Sequence, residues 1–185
     1  MANTEIPVPL ELIEEARMTP SLDAAIRKLL CACFPGDEAV FAASRLWHGT
    51  APAYTFVARQ GEAVGAHIGV VIREVSCGGK ATVIAGIQNM AVAPALRKSG
   101  VSRRLMTEAM AEAARRGIRF GLLFCVPQLE RFYASLGWKT LVVRVVMTGE
   151  DGGPEPLPAK NIAMSLDLAD APFPAGDIAL QGRDW

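Results

Sequence analysis

The stretch from Ile87 to Met106 constrains this chain more than any other. It reads Ile-Gln-Asn-Met-Ala-Val-Ala-Pro-Ala-Leu-Arg-Lys-Ser-Gly-Val-Ser-Arg-Arg-Leu-Met. An apolar strand ends at Val92, a turn begins at Pro94, and a basic loop carrying Gly100 opens a long amphipathic helix. A loop of this kind aims backbone N–H groups, a helix dipole and nearby cations at one point, which suits a phosphate-bearing ligand. Taken alone it is equally an ordinary strand-to-helix turn with a solvated basic rim.

What surrounds the stretch limits the classes open to it. The 185 residues suffice for one domain with a substantial core. Lys+Arg and Asp+Glu both number 19, so the formal net charge is zero and any anion site is local. Nothing global argues for nucleic acid or an anionic membrane as partner. Four cysteines (Cys31, Cys33, Cys77, Cys125) form no C-x-x-C pair, and two histidines (His48, His67) are too few for a zinc cluster, so no metal is expected. Free thiols, an acidic N-terminus without a secretory h-region, and the lack of an apolar run near the roughly 20 residues of a membrane span point to a cytoplasmic protein.

Periodicity orders the elements. Glu5 to Glu14 reads as a first strand or extended segment. Thr19-Pro20 opens a helix with Leu22, Ile26, Leu29, Leu30, Cys33 and Phe34 at helical spacing, stopped by Pro35-Gly36. Asp37 is read as the cap of a second helix with Val40, Phe41 and Leu46 inward. Three antiparallel strands follow: Tyr54 to Ala58, Ala63 to Val75, and Lys80 to Val92 after a Gly78-Gly79 hairpin turn. The helix Ser99 to Arg116 buries Val101, Leu105, Ala109 and Ala113 and ends at Gly117. The apolar run Ile118 to Val126 suits a strand buried on both faces, so the sheet turns parallel there. Pro127 opens a short helix with Leu129, Phe132, Tyr133 and Leu136. Trp138 to Met147 reads as one strand, 149–158 as a surface loop, Asn161 to Leu168 as the last strand and 172–185 as an irregular tail of a single domain over 1–185.

With that order in place, two motifs resemble the GCN5-related N-acetyltransferase (GNAT) superfamily. Arg97, Gly100 and Ser102 occupy the fixed positions of its Arg/Gln-x-x-Gly-x-Gly/Ala motif, with a serine in place of the third small residue. Phe132 to Trp138 matches its Phe-Tyr-x-x-x-Gly-Phe/Trp signature. The pair, about thirty residues apart in matching context, covers most of Ala53 to Val146 and is far more specific than either half. Fainter likenesses join the chain to the aminoglycoside 2′-N-acetyltransferases (Ala85 to Arg97 and the Arg183-Asp184-Trp185 ending) and to the nodulation N-acyltransferases (Ala66 to Gly69 and Pro174 to Asp177).

The resemblance implies an α/β (α+β) fold of order β-α-α-β-β-β-α-β-α-β-β, a mixed twisted sheet of about six to seven strands with about four helices. It implies acetyl-CoA, or another acyl-CoA, as donor and a primary amine of a small molecule as acceptor. Met90, Ala91 and Val92 would hold the pantetheine arm along a strand edge, and Arg97, Lys98, Ser99, Gly100, Val101, Ser102 and Arg103 the pyrophosphate, with Arg104 adding charge. Asn89 is the candidate for a bulge that splays the strand, and equally for a satisfied edge contact. Tyr133 is the expected acid toward the coenzyme sulfur, against a reading as packed aromatic. The base is open: Gln88 stands where a related branch has glutamate, leaving Glu38, His48, His67, Asp184 and the terminal carboxylate of Trp185, or no base at all where the acceptor amine arrives neutral or loses its proton through water. Cys125 offers an acyl relay, though core cysteine is the better reading without an activating histidine. Alternatives are a long-chain N-acyltransferase fed by acyl carrier protein and a non-catalytic acyl-CoA-binding module. Homodimerisation is common in the superfamily, and nothing in the sequence locates an interface.

Overall fold

The computed structural model describes residues 8–185. The first strand, β1, runs Leu10–Glu14; the part of its expected span from Glu5 to Pro7 lies outside the described residues. Helix α1 (Pro20–Cys33) starts where Thr19 Oγ1 accepts from the Leu22 N–H at 3.2 Å and Pro20 occupies the first turn. Helix α2 (Glu38–Ala43) is shorter than expected. Asp37 makes no side-chain cap, Val40 faces solvent, and Leu46 falls beyond the helix end, so only Phe41 of the expected inner face is buried.

Strands β2 (Tyr54–Gln60), β3 (Ala63–Cys77) and β4 (Lys80–Val92) form the expected antiparallel series. Helix α3 (Val101–Arg115) returns the chain to β5 (Phe120–Cys125), which pairs parallel with β4. Tyr54 Oη anchors α3 to β2 by donating to the Ala109 carbonyl at 2.7 Å.

After α4 (Glu130–Ala134) the structure corrects the sequence. Trp138 to Met147 is not one strand. It divides into β6 (Lys139–Leu141), paired with β9 (Ile162–Asp167), and β7 (Val145–Thr148), paired with β8 (Pro154–Pro156) and with β10 (Ile178–Ala179). The surface segment 149–158 therefore carries one arm of a hairpin. The tail is not wholly irregular either, since β10 adds antiparallel to the far end of β3. Ten strands result among the described residues, more than the six to seven expected, in the order β6-β9-β5-β4-β3-β10-β7-β8, with β2 and β1 branching from the first half of β3.

That order dictates a curl. β6 ends at Leu141 on one flank of the sheet and β7 begins at Val145 on the other. The linking residues 142–144 span at most about 14 Å, so the flanks must approach each other. The interior so enclosed holds Val71, Ile84, Leu122, Val145, Met147, Ile178, Leu180 and Trp185. The opposite face packs on α3 through Tyr54, Ile68, Ala85, Ile87, Leu105 and Ala109. A third cluster fastens α1 and α2 to β2, β3 and β4 through Ile26, Leu30, Phe41, Val57, Val64 and Ala91. No helix among the described residues is long and apolar enough to cross a membrane.

Candidate active site

The site begins with one extra residue in β4. Ala66 and His67 face Val92 and Ala91, but Gly69 faces Gln88, so Asn89 and Met90 oppose Ile68 alone. Asn89 takes φ 49°, the left-handed region that asparagine tolerates better than most residues. Its Nδ2 donates to the Arg45 carbonyl at 3.0 Å, and His67 Nδ1 donates to the Asn89 carbonyl at 2.8 Å. Bulge and satisfied contact, the two readings of Asn89, thus coexist.

The bulge comes just where β4 and β5 part. Their parallel register covers only Ala85↔Gly121 and Gly86↔Leu122. From Ile87 to Val92 the side of β4 away from β3 has no strand partner among the described residues, which leaves an edge able to pair with an extended amide chain. Met90 and Val92 lie on that edge, whereas Ala91, opposite His67 and two residues before the Ala93 N–H that bonds the Gly65 carbonyl, turns its backbone groups toward β3. Among the described residues, Gln88 is 1% exposed and its Nε2 donates to the Thr50 carbonyl at 3.0 Å.

Beyond β4 the chain makes a single 3-10 turn, Pro94–Leu96, and enters the loop. Lys98 (φ 66°) and Gly100 (φ 82°) both adopt left-handed backbone before α3. Ser99 Oγ donates to the Leu96 carbonyl at 2.7 Å and accepts from the Val101 N–H at 3.4 Å. The first bond into the helix is from Arg104 N–H to the Gly100 carbonyl, 3.1 Å. Among the described residues, the N–H groups of Lys98, Gly100, Ser102 and Arg103 have no backbone partner in the loop or the preceding turn. Ser102 is the second residue of α3.

The charge of the loop is also unspent. Arg27, Arg45, Arg59, Arg115, Arg116 and Arg183 each face a carboxylate, whereas among the described residues Arg97, Lys98, Arg103 and Arg104 face none. Arg97 Nε donates to the Val92 carbonyl at 3.4 Å, and Arg104 is tied to the Val8 carbonyl at 2.9 Å. Arg103 donates to the carbonyl and hydroxyl of Ser135 at 3.2 and 3.0 Å, joining the start of α3 to the end of α4. Free amides and unneutralised cations at one helix start fit a diphosphate.

Tyr133, on α4, is buried between Phe132 and Trp138, at 5.1 and 6.3 Å between ring centroids. Because α4 follows the C-terminal end of β5, Tyr133 stands at the open end of the β4–β5 cleft. Burial first, and then the neighbouring Cys125, pushes its phenol above the ordinary range, so it keeps its proton at any ordinary pH. Cys125 is buried and its thiol pushed up to about 11 by desolvation, then by Glu130. A thiol so disfavoured as thiolate is a poor acyl relay. All four cysteines are free.

The candidate bases separate sharply. Glu38 faces solvent, where its Oε2 accepts from the Gly36 N–H at 2.7 Å. His67 is 2% exposed, with its Nε2 left without a partner, and burial lowers it to about 4. His48 and Asp184 meet: His48 Nδ1 is hydrogen bonded to Asp184 Oδ1. Both residues are candidate bases by type, but their pairing has no signature in the sequence. Contacts across 136 positions leave no local pattern, and the segment joining them to the sheet has no periodicity. Trp185 lies inside the curl, 5.3 Å from Phe124 between ring centroids and flat against Gly86, where any Cβ would come within 2.3 Å of the indole. Among the described residues no group of three or more His, Cys, Asp or Glu is arranged to hold a metal ion.

A parallel pair that parts at a bulge, followed by a basic, amide-rich helix start, is the arrangement that the resemblance to the GNAT superfamily implies. A model described as an acetyltransferase (GNAT) domain matches residues 17–141, and the chain belongs to that family. The solved structures carry the same fold at low identity. A GNAT family N-acetyltransferase (YhbS) from Escherichia coli in complex with CoA is 18% identical, with 94% of this chain and 89% of that one covered and a TM-score of 0.67. A GNAT family acetyltransferase from Brucella melitensis in complex with acetyl-CoA is 22% identical, covering 94% and 97% at a TM-score of 0.58. The ribosomal-protein-S18-alanine N-acetyltransferase from Escherichia coli is 19% identical, covering 89% and 97% at 0.57. No curated protein matches the sequence. The faint likenesses to particular branches gain no support from these comparisons.

Proposed function

We propose that the protein transfers an acetyl group from acetyl-CoA to a primary amine of a small molecule. The observation that carries this reading is the continuous path from the unpaired edge of β4, through the Asn89 bulge, to the free amides at the start of α3. Met90 and Val92 offer backbone partners to an extended amide arm, and Ala91 between them keeps the strand on β3. Lys98, Gly100, Ser102 and Arg103 offer N–H groups to a diphosphate, Ser99 and Val101 shape the turn, and Arg97, Lys98 and Arg103 supply charge.

Acetyl-CoA supplies a thioester, whose carbonyl is the electrophile and whose sulfur is the leaving group. Asn89 acts by shape: its left-handed backbone turns the strand edge outward, so that a strand N–H can meet a developing oxyanion. Tyr133 acts by proton: its hydroxyl, kept protonated by burial, donates toward the departing sulfur.

Titrating the protein with acetyl-CoA tests the reading. Ligand at a hundredfold over its Kd raises stability by about 2.7 kcal/mol, a plain shift in melting temperature. Tyr133→Phe keeps that shift and lowers thiol release by about 10²-fold. No shift with millimolar acetyl-CoA overturns the proposal.

A further inference from the structure

Two segments remote in sequence meet over the interior face of β4. The segment 45–50 is pinned at both ends to the bulge, Arg45 by Asn89 and Thr50 by Gln88, each through a 3.0 Å bond to its carbonyl. Between the pins His48 takes φ 48°, ψ 29° and is followed by Gly49 at φ 75°. Left-handed backbone costs a residue with a Cβ about 1–2 kcal/mol, so something must hold it there. Two contacts do: the Trp47 ring, 4.8 Å from the imidazole, and the Asp184 carboxylate.

Asp184 is itself fixed. Arg73 Nη1 donates to the Arg183 carbonyl at 2.6 Å, its Nη2 donates to Thr50 Oγ1 at 3.2 Å, and its guanidinium lies 5.3 Å from the Trp185 ring centroid. The tail is thus clamped to the same segment that bears His48. Among the described residues, the charged group that meets the imidazole is Asp184; the elements on either side carry Arg73, bonded to the Arg183 carbonyl and to Thr50, Arg183 paired with Glu150, and Arg45 paired with Glu15 and Asp23. Arg45, 4% exposed, is neutralised by its two carboxylates.

We propose that His48 is the general base for the acceptor, with Asp184 as its positioning residue. This rests on the reading of the protein as an amine acetyltransferase. Donation of Nδ1–H to the carboxylate leaves Nε2 as a bare acceptor, on a ring 27% exposed while Asp184 is 7% exposed. His48 is two residues from Thr50, so it stays within about 7 Å of the anchor on Gln88. In the step, an N–H bond of the acceptor ammonium breaks, Nε2–H forms, and the amine keeps the electron pair with which it attacks. Gln88, which cannot take a proton, instead holds the loop that carries the group that can.

The test pairs two probe amines with the full-length protein and saturating acetyl-CoA. Propylamine is protonated at neutral pH, as a lysine side chain is, and methoxyamine is not. His48→Asn and Asp184→Asn are expected to lower thiol release with propylamine by about 10²-fold at pH 7, and to leave methoxyamine within about threefold. Asp184→Glu is expected to recover part of the loss, and the acetyl-CoA-induced melting shift is unchanged in all three. A second readout needs no turnover. The chain has only two histidines, so ¹⁵N spectra of the ring nitrogens resolve His48 once His67→Asn is made. They should give His48 as the Nδ1–H tautomer, a preference lost in Asp184→Asn. Equal losses with both amines, no loss with either, or an Nε2–H tautomer would overturn the role of His48. If the wild-type protein binds acetyl-CoA yet releases thiol with neither amine, the transferase reading itself falls.

Discussion

The two ends of the β4 cleft are built from different materials. The end proposed for the diphosphate is made of backbone: among the described residues, two left-handed residues, four free amides and one helix start, all within Arg97 to Arg104. The end proposed for the acceptor is held by side chains drawn from residues 45–50, 73, 88 and 184–185. A loop of backbone tolerates changes of side chain and fails when its dihedrals are forbidden. A cluster of side chains fails one member at a time.

The largest test breaks the acceptor end at Trp185. The indole fills the curl against Gly86 and Phe124, so Trp185→Ala opens a cavity and is expected to cost about 3–5 kcal/mol of stability, read by denaturant unfolding. Gly86→Ala forces a Cβ into the same ring and should also destabilise. Combined, the two should be less harmful than their sum, because the new methyl occupies part of the vacated space. Acetyl-CoA affinity, governed by the other end, should hold in any variant that stays folded.

A smaller effect joins the two ends at the hinge. His67 supports the bulge through the Asn89 carbonyl, and burial lowers its pKa from 6.5 to about 4. Since the unfolded chain binds this proton first, unfolding is favoured as the pH falls from 6.5 toward 4, and the benefit of the neutral imidazole is present only above that window. The shift is worth about 3 kcal/mol at the acid end. His67→Asn keeps a donor near the Asn89 carbonyl and removes this titration. The stability difference between wild type and variant should narrow with acidification through the window, and a constant difference would show that His67 is not buried as described.

The same division explains what could be read from the sequence. The strand–loop–helix at Arg97 to Arg104 announces itself because proline, glycine and helical periodicity are local signals, and the dihedral needs of a phosphate turn are met within a few residues. β2 to β4 were legible for the same reason, through alternation and the Gly78-Gly79 turn. The break at 142–144 was not, because Val142 and Val143 continue an apolar run. What divides it is the curl: β6 and β7 face different neighbours, and Val142 is left 98% exposed between them. β10 was missed because two residues borrow all their order from β3 and β7. The His48–Asp184 contact is tertiary in the strict sense.

The finest test separates charge from conformation inside the loop. Gly100 has open space where a Cβ would go, so Gly100→Ala meets no neighbour and tests the dihedral alone. Holding φ 82° with alanine costs about 1–2 kcal/mol, which is lost either as stability or as a turn that aims its amides elsewhere. Acetyl-CoA affinity should fall by about tenfold in consequence, since 1.4 kcal/mol corresponds to that factor. Lys98→Gly is the converse. It permits the left-handed φ that lysine already adopts at position 98, removes one cation, and returns some entropy to the unfolded chain. Its stability should change by less than about 1 kcal/mol, and its weaker binding of acetyl-CoA should converge on wild type as salt is raised, because exposed charges are screened within about 8 Å at physiological ionic strength. If Lys98→Gly instead harms binding more than Gly100→Ala at high salt, the phosphate end is held by side chains after all.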